Sequence, residues 1–119
     1  ERAPAAIGPY SQATRAGSMV FLSGQIPLDP ATGEVVPGGI EEQARRAFDN
    51  LKAVAEAAGG SLADVVRLGL YLTDLSQFAT VNGVMAEYFE APYPARSTIE
   101  VSALPKGVLF EVDAIMVTG

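Results

Sequence analysis

The stretch that decides the fold is IEEQARRAFDNLKAVAEAA at residues 40–58, followed by VVRLGLYLT at residues 65–73. In the first segment apolar side chains recur every three or four residues, a pattern that predicts an amphipathic helix. Gly59-Gly60 is a typical helix stop. In the second segment apolar residues alternate with other types, which predicts a central β-strand. The predicted buried stripe of the helix consists of Ile40, Ala44, Ala47, Phe48, Leu51, Val54, Ala55 and Ala58.

The other elements follow from turn signals and periodicity on either side of this pair. In chain order they are strands at 11–16 and 19–24, joined by a tight hairpin at Gly17-Ser18, a short strand at 34–36, a second helix at 76–89, and strands at 96–102 and 108–117. This order predicts one α+β domain over residues 1–119. Two helices can cover only one face of its sheet. Because the other face also carries Ile, Val and Leu, we expect it to contact another subunit.

Composition and charge narrow the possible functions. The chain has 119 residues, of which 49% are hydrophobic, a high share for one small domain that again favours an oligomer. A net charge of −6 without a basic run argues against nucleic acid and against an anionic membrane surface as partners. No apolar stretch approaches the ~20 residues of a membrane span, and no secretory pattern is present. We therefore expect a cytoplasmic protein.

The chain contains neither Cys nor His. The missing residue types argue against disulfides, zinc–thiolate and iron–sulfur sites, a Ser-His triad and most transition-metal sites. Chemistry must then use carboxylates, Tyr, Ser or Thr, Lys or Arg, the backbone and water. We expect no metal and no cofactor.

Arg96 is the best single indication of a ligand. It follows Pro92 and Pro94, which lead the chain into a β-rich run, so it should open a strand. The planar guanidinium matches a carboxylate bidentately. Taken alone, the spacing favours a structural salt bridge over a ligand site, because such pairs are common.

Strand alternation sorts the other candidates. Glu111, in the last strand, lies between apolar neighbours on the face that we expect to form an interface. Desolvation there would raise its pKa and suit it to proton transfer, although an interface partner is the plainer alternative. In the preceding strand the two predicted sets are Arg96, Thr98 and Glu100 on one face, and Ser97, Ile99 and Val101 under the helices.

Two further residues are weak candidates alone: Ser23 fits a plain strand end, and Tyr10 can simply pack. Several sequence blocks change this judgement. APAAIGPYSQ at 3–12, LSGQIP at 22–27 and YPARS at 93–97 resemble the RidA/YjgF family of enamine/imine deaminases. So do DL at 74–75 with FATVN at 78–82, and LPK at 104–106 with EVDAI at 111–115.

The resemblance covers nearly the whole chain, in order. It implies a chorismate-mutase-like α+β subunit with a mixed sheet, in a homotrimer with three clefts between subunits. The implied site residues are Arg96, Glu111, Tyr10 and Ser23 for catalysis, and Arg96, Thr98, Gly24 and Tyr10 for substrate binding. Many members have Cys where this chain has Thr98. The main-chain N–H of Thr98 can still bind a carboxylate oxygen, because it needs no particular side chain.

Two functional hypotheses follow. In the first, the protein is an enzyme that hydrolyses 2-imino or 2-enamino acids, such as 2-iminobutanoate, to 2-oxo acids and ammonia. Arg96 then holds the substrate carboxylate, and Glu111 orients or deprotonates the water. In the second, a regulatory or non-catalytic trimer binds 2-oxo acids or other small carboxylates in the same cleft. The presence of the full set, Tyr10, Ser23, Arg96 and Glu111, favours the enzyme, since a pure binder needs Arg96 more than Glu111.

Overall fold

The computed structural model describes residues 11–119, which form a five-stranded sheet with two helices packed on one face. The predicted α+β architecture is confirmed. Within the described residues no helix is both long and apolar enough to cross a membrane. The elements are β1 Ala13–Ala16, β2 Met19–Gln25, α1 Ile40–Ala57, β3 Val65–Leu72, α2 Phe78–Met85, β4 Ala95–Glu100 and β5 Phe110–Val117.

The sheet is mixed and has the strand order β1-β2-β5-β3-β4. Neighbours from β1 to β3 are antiparallel, and β4 runs parallel to β3 at one edge. The predicted hairpin joins β1 to β2, with Gly17 in the left-handed region (φ 64°), where glycine carries no steric penalty. Parallel neighbours need a long crossover connection, which is usually helical, and α2 lies in the connection between β3 and β4.

The core lies between the helices and the face of the sheet that they cover, which we call the covered face. Every residue of the predicted helical stripe is buried except Ile40 and Ala58, which pack partly buried against the core. Phe48 of α1 and Phe110 of β5 are fully buried, with ring centroids 5.5 Å apart. Burying each such side chain stabilises the fold by about 1.5–3 kcal/mol.

The opposite face of the sheet, which we call the open face, has no helix on it. Four of its apolar side chains are 40–48% exposed in the single chain: Met19, Phe21, Ile99 and Val117. Charged groups share this face, notably Arg67, Glu111 and Asp113. Exposed apolar groups in such number favour a partner surface.

Two buried amide side chains of α1 hold the loops at the ends of β2 and β5. Asn50 donates through Nδ2 to the carbonyl oxygens of Ile26 and Leu28, both at 3.0 Å. Gln43 accepts through Oε1 from the N–H of Leu109 at 2.8 Å. Because buried polar groups are costly unless paired, these bonds fix both loops relative to the helix.

The sequence prediction was wrong in two local details. The predicted strand at 34–36 is reduced to one β-bridge between Leu28 and Val35, because flanking prolines lack the N–H needed to extend a ladder. The second helix is shorter than predicted. A 3₁₀ turn, Leu75–Gln77, precedes it, because the Asp74 side chain accepts from the N–H of Ser76 (2.9 Å).

Candidate functional site

The predicted facing of β4 was wrong. Leu68 pairs with Arg96 and Leu70 with Thr98 in the parallel β3–β4 register, so Arg96 and Thr98 lie on the covered face. Ile99, predicted to lie under the helices, is on the open face and is 48% exposed. Ser97, two residues earlier in the same strand, is exposed on the same face. The prediction assumed that the apolar side chains of a strand point toward the helices. This assumption fails for β4, because it is an edge strand and only the short helix α2 lies over its covered face.

The guanidinium of Arg96 lies against one side of α2. Its Nη1 donates to Asn82 Oδ1 at 2.6 Å and lies 3.3 Å from Met85 Sδ. Its Cζ lies 5.1 Å from the centroid of the Phe78 ring, within the range of a cation–π contact. Within residues 11–119 Arg96 forms no salt bridge. Within that range the structure does not support the salt-bridge alternative, because no described carboxylate neutralises the guanidinium.

The free edge of β4 adds main-chain donors beside Arg96. Val101 donates its N–H to Leu72 O of β3 at 2.8 Å. Because donors alternate along a strand, the N–H of Thr98 points away from β3, toward the edge of the described sheet. The Thr98 hydroxyl is buried and has no hydrogen-bond partner among the described residues. We call Arg96, Asn82 and Thr98 the arginine half of the site.

A pocket opens directly beside the arginine half. Its volume is about 360 Å³, which is at the lower end for small-molecule sites and ample for a small carboxylic acid. The lining residues are Asn82, Met85, Ala86, Tyr93, Pro94 and Arg96. Its wall is largely apolar with one fixed cation, an arrangement suited to an organic carboxylate.

A second group of candidates lies on the open face, around the half-buried Glu111. Burial raises the pKa of Glu111, and the negative charge of Asp113 raises it further. Gly24 lies immediately beneath, since a Cβ added to it would overlap the Glu111 carboxylate. Ser23, next to it, donates through Oγ to Ser11 O at 2.5 Å. We call Ser23, Gly24 and Glu111 the glutamate half.

One chain does not bring the two halves together. Arg96 and Glu111 lie on opposite faces of the sheet, and β3 separates their strands. The axes of β4 and β5 are therefore about 10 Å apart. Tyr10, the remaining predicted site residue, lies outside the described residues.

Asn82, Met85 and Asp113 were missed by the sequence reasoning. Phe78, Asn82 and Met85 are spaced i, i+4 and i+7 on a predicted helix, so they share one side. The sequence shows this spacing, but it does not show that Arg96 faces α2, so the three residues could not be assigned to the site. Across residues 11–119, no three acidic side chains are grouped closely enough to hold a metal ion.

Comparisons with known proteins agree with this architecture. The sequence matches the family described as Endoribonuclease L-PSP over residues 1–118. A RutC family protein of Pyrococcus horikoshii is 55% identical over 115 residues, covering 97% of this chain and 91% of the relative. The 2-iminobutanoate/2-iminopropanoate deaminase of Bos taurus is 46% identical over 118 residues, covering 99% and 86%.

Among solved structures, Escherichia coli TdcF with bound serine superimposes with a TM-score of 0.94. It is 48% identical and covers 99% of this chain and 94% of TdcF. TdcF of Escherichia coli is described by its name as a reactive intermediate deaminase. The chain belongs to the Endoribonuclease L-PSP family, the RidA/YjgF family that its sequence blocks resemble.

Proposed function

We propose that this protein is a deaminase that hydrolyses reactive 2-imino acids, such as 2-iminobutanoate and 2-iminopropanoate, to 2-oxo acids and ammonia. The observation that carries the proposal is the 46% identity to the bovine 2-iminobutanoate/2-iminopropanoate deaminase across nearly the whole chain. The two half-sites support it, because one offers a cation with no carboxylate partner among residues 11–119 and the other a carboxyl group whose pKa is raised by burial. The compartment we propose is the cytoplasm.

The arginine half would bind the substrate. Arg96 is held by Asn82 on α2, which leaves the rest of its fork for the substrate carboxylate. The N–H of Thr98 points to the same strand edge and can donate to a second oxygen. The substrate side chain would then enter the pocket beside Met85 and Tyr93.

The glutamate half would move protons. As water adds to C2 of the imine, Glu111 takes a proton from the water while the C–O bond forms. Glu111 then returns that proton to the nitrogen, which gives a carbinolamine. Next, Glu111 takes the proton of the new hydroxyl group and passes it to the nitrogen while the C–N bond breaks and the C=O bond forms, so that ammonia leaves and the 2-oxo acid remains. A carboxyl group whose pKa is raised by burial serves both steps better than an exposed one. Ser23, whose own proton is donated to Ser11 O, can accept a hydrogen bond from the substrate nitrogen or the water. We propose that Tyr10 completes this half.

The two halves would meet between subunits of a homotrimer with a chorismate-mutase-like subunit fold. Because Arg96 and Glu111 are on opposite faces of the sheet in one chain, a small substrate must contact Arg96 of one copy and Glu111 of the next. The exposed apolar side chains of the open face support such an assembly. Sedimentation should give the mass of three 12.4 kDa chains, each a single domain over residues 1–119. A monomer at micromolar concentration contradicts this proposal.

The reaction is tested with 2-iminobutanoate generated in place by a threonine dehydratase. We expect the protein to accelerate release of ammonia and 2-oxobutanoate. Arg96→Lys keeps the charge but loses the bidentate fork, so it should lose most of the activity while remaining folded. Binding of 2-oxo acids without acceleration would instead support a regulatory trimer. The family description names RNA cleavage, but a net charge of −6 gives RNA no electrostatic attraction.

A further inference from the structure

We propose that Gly24 is a positioning residue, whose missing side chain leaves the space in which the Glu111 carboxylate lies. The proposal rests on the proposed function, because it explains how the proton-transfer group is held. It gives Gly24 a role other than the substrate contact predicted from the family resemblance.

Space, and not backbone freedom, is what requires glycine at this position. A Cβ added to Gly24 would overlap Glu111 Oε2 and lie 2.9 Å from Glu111 Cδ. Gly24 is not among the glycines with positive φ, so an alanine could adopt its backbone conformation. Among the described residues, the three atoms nearest to such a Cβ all belong to the Glu111 side chain.

A β-bulge in β2 brings this glycine onto the face of Glu111. Leu22 pairs with Ala114 and Gln25 with Val112, so two residues of β2 lie opposite Asp113 alone. In a regular strand residue 24 would share the covered face with Leu22. The extra residue shifts the alternation, and the vacant side-chain direction of Gly24 points onto the open face.

The neighbouring carboxylate of β5 provides an internal comparison. Asp113 pairs with Gly69 of β3, and a Cβ added to Gly69 would overlap Asp113 Oδ1. Tyr71 Oη donates to Asp113 Oδ2 at 3.0 Å. The two carboxylates therefore lie flat on the sheet in opposite directions, Glu111 over β2 and Asp113 over β3. Among residues 11–119, the other ionisable groups of this face beside the two carboxylates are Tyr71 and Arg67 of β3.

With alanine at position 24, the Glu111 side chain must turn away from this glycine, since the Leu22–Ala114 and Gln25–Val112 pairs hold β2 on either side of the bulge. The carboxylate would then be better hydrated, and the pKa of Glu111 would fall toward its ordinary value. A displacement on the order of 1 Å costs a well-aligned reaction up to about 100-fold in rate.

The test compares Gly24→Ala with Gly69→Ala, the same change under the other carboxylate. For Gly24→Ala we expect kcat for 2-iminobutanoate to fall about 10- to 100-fold while KM changes less than about threefold. At about pH 8, Gly69→Ala should retain kcat within about threefold. Equal losses in both variants would mean general damage and overturn the proposal, as would an unchanged kcat in Gly24→Ala.

A double-mutant cycle separates steric seating from a main-chain role of Gly24. Glu111→Asp shortens the side chain and relieves the overlap, so Gly24→Ala should cost less than about threefold in that background. An equal fold-loss in both backgrounds overturns the proposal. NMR titration of the Glu111 carboxyl group gives a measurement that does not depend on turnover. Gly24→Ala should lower the pH midpoint of this titration. An unchanged midpoint would contradict the proposal that Gly24 provides the space for the carboxylate. An inactive wild type would refute the deaminase proposal, while this titration would still decide the role of Gly24.

Discussion

The two faces of the sheet differ in what covers them and in what they carry. On the covered face α1 and α2 bury Leu70, Phe110 and their neighbours completely. On the open face apolar groups such as Phe21 alternate with Glu111 and Asp113, and no part of residues 11–119 lies over them. One face thus specifies the subunit fold, whereas the other carries the surface to which we assign the proposed assembly and proton transfer.

Arg96 complicates this division, because it lies on the covered face but at the sheet edge, where the core ends. Its contacts with α2 are to neutral groups, the Asn82 amide oxygen and the Phe78 ring. Glu111 lies on the open face. The proposed reaction thus requires a contact between an edge of one subunit and the open face of another.

The largest expected effect comes from mixing two inactive variants. Arg96→Ala and Glu111→Ala should each lower kcat/KM by at least about 100-fold, because each removes one half of the site. When equal amounts are unfolded and refolded together, about one quarter of the clefts in random trimers will combine two intact halves. Ammonia release should recover to about that fraction of wild type. No recovery, with mixed trimers demonstrated by mass spectrometry, would mean that both residues act within one chain.

A pair of phenylalanine substitutions contrasts the two faces directly. Phe110→Ala leaves a cavity in the core and should lower the free energy of unfolding by about 3–5 kcal/mol. Phe21→Ala, on a side chain 41% exposed in the single chain, should mainly weaken subunit association. Chemical denaturation and sedimentation of both variants measure this. If Phe21→Ala leaves the association constant unchanged, the open face is not the subunit interface.

Because the pKa of Glu111 is raised in the folded protein, its negative charge should lower the free energy of unfolding, and this effect should depend on pH. Between its unfolded and folded pKa values the folded chain binds more protons, so the free energy of unfolding decreases as pH rises through that window. Glu111→Gln removes this loss. The variant should therefore gain stability over wild type at neutral pH and little at acid pH, as measured by denaturation with urea. A gain of equal size at both pH values would refute the assignment.

Asp113→Asn removes the neighbouring negative charge that raises the pKa of Glu111. The acid limb of the kcat/KM profile should therefore move to lower pH, while kcat at neutral pH changes little. Tyr71→Phe is the matched control, since it removes the hydrogen bond to Asp113 but leaves the charge. An acid limb that stays in place in Asp113→Asn would show that Asp113 does not act on the titrating group.

The smallest expected effect concerns Thr98. Its buried hydroxyl lacks a partner within the described chain, so Thr98→Val should be neutral or should stabilise the fold by about 1 kcal/mol. If only the main-chain N–H of Thr98 binds substrate, KM should stay within about twofold of wild type. A severalfold rise in KM would instead assign the hydroxyl to the substrate.

The sequence predicted the parts of the fold that follow from periodicity. The buried stripe of α1, the hairpin at Gly17 and the alternation of β5 are local patterns, and each is confirmed. The facing of β4 could not be read in the same way. Whether a strand lies at the centre or at the edge of a sheet depends on long-range pairing, and alternation alone assigns the faces wrongly there.

The candidate site was predictable as a set of residues but not as an arrangement. The sequence blocks indicated Arg96, Ser23, Gly24 and Glu111, and no local signal could show that they form two groups on opposite faces. The bulge at Ser23 and Gly24 shifts the alternation of β2. The one local sign of it was a glycine inside a strand, which can mark a bulge but does not fix which way the neighbouring side chains point. The contact of Asn82 with Arg96 depends on the position of α2 above an edge strand.

The amide bonds from α1 to the two loops have a thermal consequence. Asn50 and Gln43 are as deeply buried as the apolar core around them, and they hold the loop that follows Gly24 and the residue that precedes β5. The segments next to the glutamate half therefore cannot become mobile without breaking hydrogen bonds to α1. On heating, we expect catalytic activity to persist up to the melting transition and to disappear together with the fold, without an earlier, separate loss at the cleft.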